Sequence, residues 1–254
     1  AINGIARSLS IWDYDITNNT WNQISNTSNT EHDRYFPAYT IYDDTVYVIG
    51  GRHIPYTNGF FNDIWKYDIS NNEWSEVTGT TSGVDISGLY LTQFASNGEK
   101  LYIFGGENST QDPNYEKKQL YMYDVSNNHM TVLDSNGLVG RSRGAMSYYE
   151  NNLYIWGGNG NGVASNKLFK YDLSLNTGAE VTQISTKDPA NEVKWCTIGN
   201  TFYILGGPTA LRRYTFDSTI NKIKNSSGVL KDAENVIVFG GSKDGVYYNS
   251  VYNF

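Results

Sequence analysis

Short apolar runs closed by a glycine pair punctuate the chain five times: VYVIGG (46–51), LYIFGG (101–106), LYIWGG (153–158), FYILGG (202–207) and VIVFGG (236–241). Four β-branched, aliphatic or aromatic residues in succession, stopped by Gly-Gly, predict a strand that the glycine pair ends. The first glycines of the pairs (Gly50, Gly105, Gly157, Gly206 and Gly240) are spaced by 55, 52, 49 and 34 residues. The first three intervals sit near a repeat of roughly 50 residues. A second element follows each pair after a loop of variable length: an apolar residue, an aromatic, any residue, then Tyr. It reads IWKYD (64–68), LYMYD (120–124) and LFKYD (168–172), with a degenerate copy at 211–214. IWDYD (11–15) opens the chain and VYNF (251–254) closes it. A turn such as SNN comes next, then a strand beginning on an aromatic. Tyr14 is followed seven residues on by Trp21, and Tyr67 by Trp74. Met130, Gly178 and Asn221 stand at that Trp position in the later copies.

Each unit so read is a four-stranded antiparallel sheet that cannot bury both its faces alone. Radial stacking of such sheets buries the flanks, and closing the ring protects the edges. The glycine pairs are expected where backbone takes positive φ or passes close to a neighbour. The Tyr and Trp residues are expected to fill the wedges between sheets, with their polar tips hydrogen-bonded. Composition agrees: 15% of residues are aromatic, including 21 Tyr and 6 Trp, and 25 Gly supply turns. Helical-period stretches rich in Ala, Leu, Glu and Lys do not occur, which favours an all-β chain.

Five glycine-pair segments in phase with the Tyr element, together with the Tyr14/Trp21 and Tyr67/Trp74 pairs, make the chain resemble the kelch-repeat family over nearly its whole length. The resemblance implies an all-β, kelch-type β-propeller of four-stranded antiparallel blades, a single domain spanning 1–254. The pattern offers five first-and-second strand pairs, six third strands and five fourth strands. Six blades accommodate every third strand, the chain then being an excerpt that lacks two strands upstream and one downstream. Five blades of about 51 residues need a composite terminal blade and leave one third strand redundant.

By the family's geometry, the loops after the glycine pairs and the loops entering the first strands share one face around a central channel. Function on propellers sits in such loops, because the scaffold holds them rigidly apart. The post-glycine loops contribute Arg52, His53, Tyr56, Phe60, Phe61, Glu107, Tyr115, Lys243, Asp244 and Tyr247 as candidates, and the entering loops Asp33, Arg34, Tyr35, Arg141 and Arg143. A convergence of Arg34, Arg52, Arg141 and Arg143 suits an acidic peptide or another carboxylate, since Arg bonds carboxylates bidentately. The opposing expectation is that each Arg is a solvated loop residue or pairs with a nearby Asp. Phe60 and Phe61 read either as a partner-binding hot spot or as a small satellite core under the loop.

Charge and cysteine content narrow the classes. The net charge of −7 argues against nucleic acid or an anionic membrane surface as partner, and no apolar run approaches the roughly 18–20 residues of a spanning helix. Cys196, the single cysteine, forms no internal disulfide and reads as a small buried hydrophobe on an inner strand. The copper-radical oxidases of kelch-like fold need a Tyr crosslinked to Cys and two His. Here Cys196, His32, His53 and His129 are the available groups, with His129 at the opposite end of a blade from His53. The Glu-x3-Asp-x3-His iron element of plant specifier proteins does not occur in this sequence. The glycine-rich GNGNG (158–162) lies between strands and is a loop rather than a nucleotide cradle. The resemblance implies a non-enzymatic module that binds a protein or peptide through the loop-lined face, with no cofactor expected. The runner-up is a carbohydrate-directed protein, lectin-like or a sialic acid mutarotase using Arg52, His53 and Glu107.

Overall fold

In a computed structural model the chain is described over residues 11–15, 17–25, 34–53, 59–78, 84–86, 88–107, 116–181 and 193–205, with six short strands between 211 and 253. Every regular element among these residues is a β-strand. Four complete antiparallel sheets follow one another along the chain, each with its strands hydrogen-bonded in sequence order. Blade one comprises Ala38–Tyr42, Thr45–Ile49, Ile64–Asp68 and Glu73–Glu76. Blade two comprises Gln93–Ser96, Lys100–Phe104, Leu120–Asp124 and His129–Leu133. Blade three comprises Ala145–Tyr149, Asn152–Trp156, Leu168–Asp172 and Thr177–Glu180, and blade four Lys194–Ile198, Thr201–Leu205, Leu211–Thr215 and Ile223–Asn225. A two-stranded sheet precedes them (Ile11–Asp15 with Thr20–Ser25), and another follows (Ile237–Phe239 with Val251–Asn253). All six Tyr-element segments thus form strands. GNGNG turns through a small ribbon, Asn159–Gly160 against Val163–Ala164, whose tip N–H groups on Asn161 and Gly162 donate to the Glu116 carboxylate.

The unbroken apolar runs are explained by how the second strands divide their residues. Side chains alternate between the two faces of a strand, and here each face meets a different neighbour. Leu101 and Ile103 join the core shared with blade one, packing with Ile49, Ile64 and Leu89. Tyr102 and Phe104 join the core shared with blade three, with Leu153, Ile155 and Phe169. Tyr154 and Trp156 then face blade four, with Phe202 and Ile204. Both faces are buried, so both parities must be apolar.

The third-strand tyrosines of blades one to three are fully buried: Tyr67, Tyr123 and Tyr171 are each 0% exposed. Their hydroxyls find partners, as the sequence predicts. Tyr67 donates to Asn72 Oδ1 at 2.7 Å and Tyr123 to Asn128 Oδ1 at 3.1 Å, while Tyr171 donates to the Asp134 carbonyl. Those Asn residues sit five positions on, at φ 57° and 50°, a conformation Asn tolerates better than most residues. The Asp beside each Tyr accepts turn N–H groups: Asp68 from Asn71, Asp124 from Ser126 and Asn127, Asp172 from Ser174 and Leu175. The Tyr-Asp-x-x-x-Asn pattern is thus one turn-locking unit.

The tryptophans differ from expectation. Trp21 and Trp74 do contact Tyr14 and Tyr67, with ring centroids 5.0 and 5.2 Å apart. Yet Trp21 is 42% exposed and Trp74 only half-buried, because they lie on outermost strands and lean on the Tyr from outside. Met130 is the buried exception at this position. At Gly178 the volume is taken instead by Leu138, whose Cδ2 would lie 2.7 Å from an added Cβ.

The glycine pairs at 50–51, 105–106 and 157–158 take positive φ as predicted, while those at 206–207 and 240–241 lie outside the described residues; the reason is visible at Gly105. Its φ is 70°, and a Cβ there would lie 2.0 Å from the Arg141 carbonyl oxygen of the next blade. Gly106, at φ 101°, donates its N–H to that same oxygen at 3.0 Å. Blade-to-blade contact at this level runs through backbone, which leaves no room for a side chain.

Candidate functional site: the channel and its mouth

First strands of neighbouring blades approach one another and enclose a cavity of about 880 Å³. Its wall carries an edge-to-face aromatic series. Tyr39 meets Phe94 at 4.7 Å, Phe94 meets Trp195 at 5.1 Å, and the Trp195 indole N–H donates to the Phe94 carbonyl at 3.3 Å. Ser147 and Thr197 pair through their hydroxyls at 2.6 Å. Arg143, at one end, is the only charged residue lining this cavity among the described residues.

At that end the chain repeats a strained conformation. Phe36, Leu91 and Arg143 each stand two residues before a first strand, and each has positive φ, at 46°, 55° and 60°. Bulky non-glycine residues adopt this region at a cost of order 1–3 kcal/mol, and such positions gather at functional sites. All three line the cavity, and Arg143 donates its N–H to the Leu91 carbonyl at 2.8 Å, linking one entry turn to the next.

Around the mouth lies a cluster of aromatics and arginine. Phe36 meets Tyr90 edge-on at 5.9 Å and stacks beside Tyr35 at 6.2 Å, and Phe60 lies 6.0 Å from Tyr90. The Arg52 guanidinium sits over both Phe60 and Tyr90, at 5.5 and 5.8 Å from their centroids, within cation–π range. Across the mouth, Glu107 is 1% exposed and holds Arg143: Nε to Oε1 is 2.8 Å and Nη2 to Oε2 is 3.4 Å. Ser142 donates its hydroxyl to the same Oε1 at 2.7 Å.

The four arginines divide into two pairs. Arg34 and Arg141 occupy equivalent places, four residues before their first strands, and both are buried. Each donates Nη1 to the first carbonyl of its own blade's glycine pair, Arg34 to Gly50 at 2.9 Å and Arg141 to Gly157 at 2.8 Å. Each lies over an aromatic ring, Phe61 at 4.0 Å and Phe169 at 4.5 Å. Arg34 also grips Asp63 with both Nη atoms, at 2.6 and 3.0 Å. Burial pulls the Arg141 pKa down to about 10, against the opposing pull of Glu180, so it stays charged at neutral pH. These two serve the scaffold, whereas Arg52 and Arg143 reach the mouth. The Phe60–Phe61 pair splits in the same way: Phe61 is buried under Arg34 and Phe60 joins the mouth.

His53 is paired through its backbone with Arg34 in a two-residue ribbon, and Tyr247 lies in a ribbon with Ser242–Lys243. Asp33, Tyr56, Tyr115, Asp244 and His32 lie outside the described residues. Cys196 is on an inner strand as predicted, but it is exposed along the channel rather than buried. No cluster of three or more His, Cys, Asp or Glu with metal-binding spacing occurs among the described residues. Reading the loops alone misses Phe36, Tyr39, Tyr90, Leu91, Phe94 and Trp195. Their signal is positional: residues within or just before a strand whose apolar positions fall on both parities.

Residues 80–226 match the model of the KLHDC2/KLHL20/DRC7 Kelch-repeats domain, and residues 4–112 match the Attractin/LZTR1 beta-propeller. Among curated proteins, an N-(sulfonatooxy)prop-2-enimidothioate sulfolyase of Thlaspi arvense is 29% identical over 132 residues, covering 50% of this chain and 36% of that protein. Kelch domain-containing protein 3 of Rattus norvegicus is 29% identical over 131 residues, or 49% of this chain and 32% of the relative. Kelch domain-containing protein 10 of Homo sapiens is 22% identical over 178 residues, or 67% and 39%. The chain thus spans about a third of the length of these relatives. Its repeats, its blades and a family model covering more than half its residues agree: the chain belongs to the kelch-repeat family of β-propellers.

Proposed function

We propose that this chain is a protein-interaction module that takes a peptide or partner domain at the channel mouth, where acidic residues of the partner meet Arg52 and Arg143. Kelch-repeat propellers serve as interaction modules, and this chain shares their scaffold. The observation that carries the reading is the cluster at the mouth: Phe36, Phe60, Tyr90, Arg52 and Arg143, gathered where three entry turns hold strained backbone. Tyr, Trp, Phe and Arg are the residues that dominate interface energetics when they converge on rigid support. The carbohydrate reading draws on the aromatic channel wall instead, since sugars stack on such rings.

A random dodecapeptide display library selected on the immobilised chain separates the two. Enrichment of acidic sequences whose capture is lost with Arg52→Glu, at unchanged thermal stability, is the expected result. A selection that enriches nothing acidic, or whose binders ignore Arg52→Glu, removes this reading. Saturable binding of methyl glycosides by ligand-observed NMR, with no peptide enrichment, replaces it with the sugar reading.

A further inference from the structure

The charge layout of the channel says more about the partner than the mouth alone does. Among the described residues Arg143 is the single charged one on the cavity wall, and it sits at the rim. Below it the described wall includes Tyr39, Ile41, Phe94, Met146 and Trp195, interrupted by the Cys196 thiol and by hydroxyls such as Ser147 and Thr197, which are already paired with each other. Tyr39 and Ile41 are 57% and 62% exposed, large apolar side chains turned to the open channel. A segment that is acidic throughout would leave this wall wet and bring its own charges against described lining residues that, below Arg143, carry no charge. A segment that is apolar throughout would forgo Arg52 and Arg143.

Resting on the interaction reading above, we propose that the partner segment carries an acidic residue beside an aromatic one, and that the aromatic side chain enters the channel and packs among Tyr39, Phe94 and Trp195. Charge complementarity fixes the order of depth: carboxylate at the rim with Arg52 and Arg143, ring below. The edge-to-face geometry already present in the wall (62° for Tyr39 on Phe94, 61° for Phe94 on Trp195) is the arrangement aromatic rings prefer, and an inserted ring extends the series. The cavity of about 880 Å³ admits any single side chain with its backbone. Glu107 acts as a positioning residue: fixed by Ser142, it clamps the Nε edge of Arg143 and so sets how the guanidinium stands at the rim.

The test uses peptides recovered from the dodecapeptide library, synthesised and measured by fluorescence polarisation. Enriched sequences are expected to place Trp, Tyr or Phe within two residues of Asp or Glu. Replacing that aromatic with Ala is expected to weaken binding at least tenfold. Tyr39→Ser, at a position 57% exposed, is expected to weaken the parent peptide about as much while leaving the Ala peptide unchanged. Acidic binders without an aromatic, or losses from Tyr39→Ser and the peptide change that simply add, overturn the insertion and leave the interaction reading standing. Absence of any Arg52-dependent binder overturns both.

Discussion

Arg141 and Arg143 are two residues apart and have opposite fates. Arg141 is 4% exposed, bonded to the Gly157 carbonyl and packed over Phe169. The Arg143 side chain is 26% exposed and stands at the rim of the channel, held by Glu107. Between them the backbone passes into the left-handed region at Arg143, and that turn redirects the second side chain from the blade to the mouth. Arg34 matches Arg141 in blade one, and Phe36 matches Arg143. Residue type therefore says little about role here, whereas position relative to the first strand says a great deal.

This contrast can be broken at its backbone, its buried arginine, its rim and its margin. Gly105→Ala forces a Cβ against the Arg141 carbonyl at φ 70°; a loss of about 3–4 kcal/mol in urea unfolding is expected. A loss below about 1 kcal/mol would mean that the blades yield at this contact. Arg141→Met keeps length and removes charge, leaving the Gly157 carbonyl without its donor. About 2–3 kcal/mol is expected; Arg143→Met takes the cation from the buried Glu107 carboxylate and should also destabilise, but it alone should weaken peptide binding. Equal losses of peptide binding at the two positions would erase the distinction. Trp74→Ala, at a half-buried outer position, should cost about 1–2 kcal/mol rather than the roughly 3–5 of a buried aromatic; Tyr67→Ala should show the larger figure.

The mildest test is alkaline titration. Burial, aided by Tyr148 and Asp124, pushes the Tyr102 pKa up to about 12, and burial also raises Tyr123. The unfolded chain releases these protons near pH 10, before the folded one does. Stability is therefore full below pH 10 and falls as pH rises from 10 toward 12. Tyr102→Phe should flatten that fall in denaturant midpoints measured from pH 9 to 11.5. An unchanged slope would place its hydroxyl in solvent.

The fold was legible because its signals are local and repeated. Glycine pairs fail sterically without glycine, and Tyr-Asp-x-x-x-Asn closes one turn within six residues. The outer tryptophans misled because an aromatic leaning on a buried Tyr has the same spacing as one buried beside it. The site was half legible. Arg52, Arg143 and Glu107 lie in the loops where function was sought, and the structure gathers them at the mouth. Phe36, Leu91, Tyr39, Phe94 and Trp195 escaped notice because first strands face an open channel, where no packing constraint imposes a shared pattern: AYTIY, QFAS, AMSYY and KWCTI have no consensus.

The alternation within the second strands makes covalent neighbours energetically independent. Leu101 and Tyr102 share a peptide bond, yet one belongs to the core with blade one and the other to the core with blade three. Truncations at both should add, because no packing partner is common to them. Tyr102 and Phe169, 67 positions apart, share a core and should not add. Such a chain melts as linked neighbours rather than as one block. A loop insertion at the mouth of one blade then perturbs at most two seams, so the mouth can vary while the blades endure.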